Sequence, residues 1–391
     1  MKRFRWLGAI GLTLLVVGCQ TTRYTPPKPL TGDALIDGHN AIETAPVKDK
    51  VLWQYRTAVT AMRRGQFAEA KRLLDEAIAR VSNTMGNDAS AKKSRGYFNA
   101  EAKKTFIGEP YERVMAYYYR GLLYWMDGEP DNARACFRSA QLQDSDTVDK
   151  KYANDYVLLD YLDGYATAKL GDDGSDALKR AIAEAKISTP PATYDQKANV
   201  LFFVEFGEGP TKYATGEYAE NLMFRGGVSR VRAAQLRIAD KAYQLRPYDD
   251  LYFQATTRGG RVMDHILANK AGFKKTTDTV GNAALLSGLV LAGRRETQGA
   301  ALGVAAFGLI SKLTAAGTTP EADIRSWDNL PLFLTFASIQ LPAGQHTATV
   351  EFLDDVNHVL PGLTKTITLT VPEGKDKVVY VSDKSTSPQN L

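Results

Sequence analysis

Three short tracts of this chain concentrate the side chains from which a site could be built. Gly207-Glu208-Gly209-Pro210-Thr211-Lys212 sets a lysine behind two glycines, the raw material of a phosphate cradle. The Gly-Lys-Ser/Thr ending of phosphate loops is missing, so the run reads as a turn with Lys212 leading the next strand. Glu109, Pro110, Tyr111, Glu112 and Arg113 form a second tract, preceded by Phe106-Ile107-Gly108. It reads either as a rim for partner binding through Glu109, Tyr111 and Arg113, or as a capping turn, because Pro110 suits the first turn of a helix. The third is Asp323, Arg325 and Trp327, an acid–base pair beside an indole. Such a trio binds a ligand or locks a junction, and the junction is the simpler use.

The remaining chemistry-bearing residues are scattered. His39, His265, His346 and His358 have no metal-ligand spacing. No Gly-x-Ser-x-Gly, His-Glu-x-x-His or Cys-x-x-Cys pattern occurs. Cys136, beside Phe137, reads as a small core residue. Asp172-Asp173-Gly174 has the start of a calcium loop without its other ligands, and Asp354-Asp355 reads as a solvated hairpin end. The sequence therefore predicts no cofactor and no metal, and gives no constellation for an enzyme. Without Lys2, Arg3 and Arg5 the net charge of +5 falls to +2, which removes the electrostatic case for nucleic acid.

Those three basic residues open a different motif. Lys2-Arg3-Phe4-Arg5 is followed by an apolar run over residues 6–17 and then Gly18-Cys19. A basic start, an apolar stretch of about a dozen residues and a small residue before the cut form a secretory signal, too short to span a bilayer. The Gly-Cys ending resembles the bacterial lipoprotein signal. That resemblance implies that residues 1–18 are removed and that Cys19 becomes the lipid-modified first residue, carrying palmitate-type chains. Residues 19–33 are polar and proline-rich and read as a tether. Gln20, where an Asp would favour the inner membrane, directs the expectation to the outer membrane with the body facing the periplasm. Cys136 then has no intrachain disulfide partner.

The rest of the 391 residues is long enough for real cores, with 44% apolar and 24% charged residues. Residues 34–190 read as helical hairpins. Over residues 51–80 apolar residues fall at helical spacing on both sides of Gly65, and Ala58, Ala61, Ala70 and Ala77 recur where paired helices must touch. Tyr117, Gly121, Tyr124, Gly128, Ala133, Phe137 and Ala140 follow the tetratricopeptide pattern. A third, degenerate repeat covers residues 156–186, and a polar insertion from Ser82 to Ser94 breaks the register. Tyr117, Tyr118, Tyr119, Tyr124 and Trp125 read as packing between hairpins or as an aromatic groove.

Residues 191–384 read as β-rich. Asn199 to Phe206 is an apolar run, and strand-like pieces lie at residues 231–238 and 251–256. Residues 347–352 and 366–371 alternate with period two, which points to a small antiparallel sandwich half with added strands near 332–340 and 377–382. A helical insertion is expected at 258–316. Within it, two Gly/Ala-rich apolar stretches at 283–293 and 300–311 read as a packed helical pair or a membrane-lying hairpin. Residues 385–391 read as a disordered tail. The fold class is thus α+β: tetratricopeptide-like helical hairpins followed by a sandwich-like β-rich domain.

Taken together and in this order, residues 106–113, 117–140, 203–212, 260–271, 322–327 with Leu330-Pro331, and 341–344 resemble a group of bacterial lipoproteins with tetratricopeptide-like repeats and a β-rich C-terminal domain. No reaction is established for that group, so the resemblance carries over no catalytic residue. It implies a lipid-anchored, periplasm-facing protein. The expected function is a cell-envelope scaffold or adaptor with an envelope protein as partner. Peptidoglycan or glycan binding, and membrane remodelling through residues 283–311, are the alternatives.

Overall fold

The computed structural model describes residues 26–87, 104–146, 152–185, 190–257 and 321–391. Cys19 and the expected signal, the expected helix after Gly260 and the Gly/Ala-rich stretches at 283–293 and 300–311 lie outside the described residues. Helix α1 (Ala34–Thr44) starts at Asp33, whose side chain accepts from the Leu35 and Ile36 amides. Three helix pairs follow: α2 (Lys50–Arg63) with α3 (Phe67–Asn87), α4 (Pro110–Met126) with α5 (Pro130–Asp144), and α6 (Val157–Lys169) with α7 (Ser175–Glu184). The turns hold glycine in the left-handed region, with φ of 72°, 81° and 88° at Gly65, Gly128 and Gly171. Within the middle pair, a Cβ on Gly121 would lie 2.7 Å from the Phe137 ring, so only glycine lets α4 and α5 approach this closely. The polar insertion expected from Ser82 is corrected in part, because α3 runs on to Asn87.

Strand β1 (Val200–Phe206) is one of the two inner strands of a four-stranded sheet. It runs parallel to β10 (Lys377–Ser382) and antiparallel to β7 (Phe333–Ile339), which also pairs with β6 (Asp249–Asp250). A second sheet has the order β11-β9-β8-β4-β5, formed by Gln389–Asn390, Lys365–Val371, Gly344–Leu353, Ala233–Ile238 and Lys241–Leu245. Strands β2 (Thr211–Thr215) and β3 (Asn221–Arg225) form a separate hairpin. The period-two run of β1 sends Val200, Phe202, Val204 and Phe206 into the core between the two sheets. Leu201 and Phe203 point the other way, into the core shared with the helices. The result is three layers: helices, inner sheet, outer sheet. Burying Phe202 and Phe203 on opposite faces contributes about 2 kcal/mol each.

The helical half and the β-rich half therefore share one core. Trp125 and Tyr165 of the helices contact Phe203 and Phe336 of the inner sheet respectively. Tyr118, Tyr119 and Trp125 are buried in this seam, so the aromatic run packs the helices onto the sheet. The sandwich expectation is refined: β8 and β9 are antiparallel as read, but β7 and β10 belong to the other sheet, where β10 pairs in parallel with β1.

Two further expectations are corrected. Residues 251–256 form a short helix, α8 (Leu251–Thr256), because Asp250 accepts from the Tyr252 and Phe253 amides and caps it. Leu251, Gln254 and Ala255 are its buried face. The tail is also ordered: Gln389 and Asn390 pair with β9, and the Thr386 amide donates to the Arg63 carbonyl.

A buried charged seam as the candidate functional site

Helix α4 begins at the seam, and its third residue is the hub. Pro110 occupies the first turn, where its missing N–H costs nothing, and Glu112 reaches back to accept from the Glu109 amide at 2.6 Å. The Glu112 carboxylate is fully buried. Its Oε2 also accepts from Lys212 Nζ, and its Oε1 accepts from the Trp327 amide at 2.7 Å. Lys212 Nζ further donates to the Arg325 carbonyl at 2.9 Å. One carboxylate thus ties the start of α4, strand β2 and the segment before β7.

The glycines beside it serve close approach. Gly108 has φ of 79°, and a Cβ there would sit 3.2 Å from Glu112 Cβ. The Gly209 amide donates to the Leu330 carbonyl, and a Cβ on Gly209 would lie 2.8 Å from the Pro331 oxygen. Gly207 has φ of 80° and its amide donates to Asp383 Oδ2 at 3.0 Å. With Pro210 these residues make the turn the sequence predicts. Its lysine is taken up by Glu112, so the loop holds a carboxylate rather than a phosphate.

Arg325 is a second hub. It pairs with Asp323 through Nε and Nη2, with Asp49 through Nη1 at 2.6 Å, and donates to the Lys104 carbonyl at 3.0 Å. Burial pushes the Asp323 carboxyl up, but the Arg325 hydrogen bonds and charge outweigh it and hold that group below its ordinary value. Trp327 stacks on Tyr55 of α2 with ring centres 4.3 Å apart. Arg113 donates to the Gly108 carbonyl, to Gln143 and to Asp146, which staples α4 to the end of α5. Tyr111 meets Phe224 edge-on. All ten residues read from the sequence as interaction or structural candidates lie at this seam between helices and strands.

Sequence reasoning missed a second carboxylate. Glu205 is buried on the helix-facing side of β1 and accepts four hydrogen bonds. Arg63 donates from Nε at 3.3 Å and from Nη2 at 2.9 Å, Tyr119 at 2.6 Å and Tyr380 at 2.7 Å. Burial and then the Glu205 charge push both tyrosine hydroxyls well above their ordinary value. Burial acts to lower Arg63, but the Glu205 charge outweighs it, so the guanidinium stays charged. A glutamate inside the run Val-Leu-Phe-Phe-Val-Glu-Phe is the signal that was available: a charge in a central strand needs buried partners. The central glutamate of the second tract, Glu112, carried a similar signal as the third helical residue after a capping glutamate.

A third carboxylate, Asp249 of β6, accepts from the Val157 and Leu158 amides at 2.9 Å each and so caps α6. Burial, with Asp155 and Asp144 adding to it, raises Asp249 to about 7. Cys136 is partly buried, and burial raises its thiol to about 11, far from a nucleophile's range. Among the described residues no three His, Cys, Asp or Glu side chains converge on a metal position, and no helix is long and apolar enough to cross a membrane.

Chemically, the seam is a set of ion pairs whose charges are spent on each other. The open surface lies elsewhere. A groove of about 1060 Å³ runs between residues 27–30, α1, the turn Val47–Asp49 and α2. Leu30, Ala34, Ala41, Val47 and Trp53 give it apolar walls, and the Arg56 guanidinium lies 4.8 Å over the Trp53 ring. Leu30 and Val47 are 85% and 66% exposed. Comparison of the chain with protein family profiles, with curated proteins and with solved structures found no match.

Proposed function

We propose that this chain is a lipid-anchored scaffold or adaptor of the cell envelope, held through Cys19 at the periplasmic face of the outer membrane. The observation that carries the reading is the fate of the chemistry-bearing residues. Glu112, Lys212, Arg325, Arg63 and Glu205 are engaged with one another across helices, sheets and the segment before β7, which makes the two halves one stiff body. Such a body suits a platform. The Gly-Cys ending of the signal supplies the anchor, and the helix pairs supply tetratricopeptide-like surfaces of the kind that hold partner segments.

The inner faces of the pairs are filled by the molecule's own sheet, so the docking surface of this reading is the outer face. Leu142 of α5 and Ile182 of α7 lie there, 69% and 45% exposed. The test is photo-crosslinking from positions 142 and 182 in living cells, alongside fractionation of Cys19→Ser. The reading expects one reproducible protein adduct and release of the variant from the membrane fraction. No adduct at either position, together with a variant that stays membrane-bound, overturns it.

A further inference from the structure

The groove beside α1 is built by the same segment that leads to Cys19. Residues 26–32 are strapped along the helix. Lys28 pairs with Glu43 near the end of α1, and the Thr31 amide, the Thr31 hydroxyl and the Gly32 amide all donate to Asp37 in its first turn. The strap therefore runs against the direction of α1, and going back towards Cys19 it leaves the helix near Glu43, at the groove. Pro27, Lys28 and Leu30 of the strap line the groove themselves.

Cys19 lies eight residues before Pro27. Eight residues reach about 28 Å at full stretch, so any group on Cys19 stays within that distance of the groove. A tether this short gives an effective concentration of about millimolar. The groove's volume and its apolar walls suit a hydrocarbon chain, and such pockets typically measure about 300–1,000 Å³.

We infer that the groove is the resting place of the acyl chains carried by the lipid on this chain's own Cys19, occupied whenever those chains are not in a membrane. The inference rests on the lipid-anchor reading above. Hydrocarbon left in water costs free energy with every methylene, and the groove lets the protein travel through an aqueous compartment with its anchor covered. Insertion then empties the groove, which couples its openness to anchoring.

The direct test places a photo-crosslinking amino acid at position 41, on the groove wall, in the full-length protein purified from membranes and then freed of lipid and detergent, the state in which the inference has the groove filled. The inference expects an adduct between position 41 and the lipid-bearing peptide that starts at Cys19. An adduct to a phospholipid, to a free fatty acid or to another protein, or no adduct at all, overturns it. Mass analysis of the Cys19 peptide in the same sample separates the two readings. A lipidated peptide without the adduct sinks the groove inference alone, and an unmodified Cys19 sinks the anchor as well.

A second measurement uses Cys19→Ser protein without residues 1–18, and so without Trp6, and a dibrominated stearic acid, whose bromines quench an indole on contact. Trp53 lines the groove, whereas Trp125 and Trp327 are fully buried. Saturable quenching that disappears in Trp53→Phe and weakens about tenfold or more in Val47→Glu supports the inference. Val47 is two-thirds exposed, so that charge leaves the fold intact. Quenching that is unsaturable, or unchanged in either variant, overturns it.

Discussion

Replacing Glu205 by Gln should be among the most damaging single changes to this fold. The carboxylate lies on the helix-facing side of β1 and receives donors from α2, α4 and β10. Glutamine keeps the shape but removes the charge, and its amide nitrogen would face donors. Arg63, 8% exposed in its side chain, would be left as a buried cation without its counter-charge. Breaking a buried pair in this way costs about 3–5 kcal/mol, and that range corresponds to a loss of about two to four decades in the folding equilibrium. The assay is urea unfolding of the wild type, Glu205→Gln, Arg63→Met and the double variant Arg63→Met/Glu205→Gln. The double variant should lose less than the sum of the single losses, by about 2 kcal/mol or more, because it removes both charges together. A cost below about 1 kcal/mol for Glu205→Gln, or strict additivity in the cycle, would refute the reasoning.

Other expectations follow from the same geometry. Asp249 holds its proton to about pH 7 in the fold, whereas an unfolded Asp releases it near its ordinary value of 3.8. Its contribution to stability is thus full below about pH 4 and declines by about 4 kcal/mol as pH rises to 7; Asp249→Asn should flatten the stability profile in that window, and an unchanged slope in calorimetry would count against the burial that raises Asp249. Gly121→Val should cost about 2 kcal/mol or more by forcing α4 from Phe137, read as a lowered unfolding midpoint; a neutral result would mean the helices separate freely. The Cys136 thiol, raised to about 11 from 9.0, should be alkylated at pH 8 about a hundredfold more slowly in folded than in unfolded protein, and equal rates would contradict its burial.

The parts of the fold that read plainly in the sequence are those set by local spacing. Gly65, Gly128 and Gly171 mark turns because their left-handed backbone excludes most other residues. The alternation of Ala348, Val350 and Phe352 survives as the buried face of β8. What did not read was set by distant partners. The parallel pairing of Val200 with Lys377 joins residues far apart in the chain, and no local pattern encodes it. Leu251 to Thr256 has strand-like side chains, but the Asp250 cap and the buried Leu251, Gln254 and Ala255 make it helical. The tail is polar and proline-bearing, yet it is held by β9 and by the Arg63 carbonyl.

The site was legible to the same extent. The three tracts around Glu109, Lys212 and Arg325 could be picked out one by one, because each departs from its surroundings. That Glu112 would join them could not be read, since beyond the local Glu109 amide its donors come from a strand about a hundred residues later and a segment still further on. The Glu205 cluster was hidden for the same reason. Its arginine and two tyrosines look like ordinary helix and strand residues until the sheet brings them together.

In the function proposed above, this stiff body hangs from a lipid on Cys19. The most direct measurement is the mass of the N-terminal tryptic peptide of the protein purified from membranes. A peptide running from Cys19 to Arg23 with added acyl mass is the predicted result. A chain that retains Met1, or begins elsewhere with Cys19 unmodified, would contradict it.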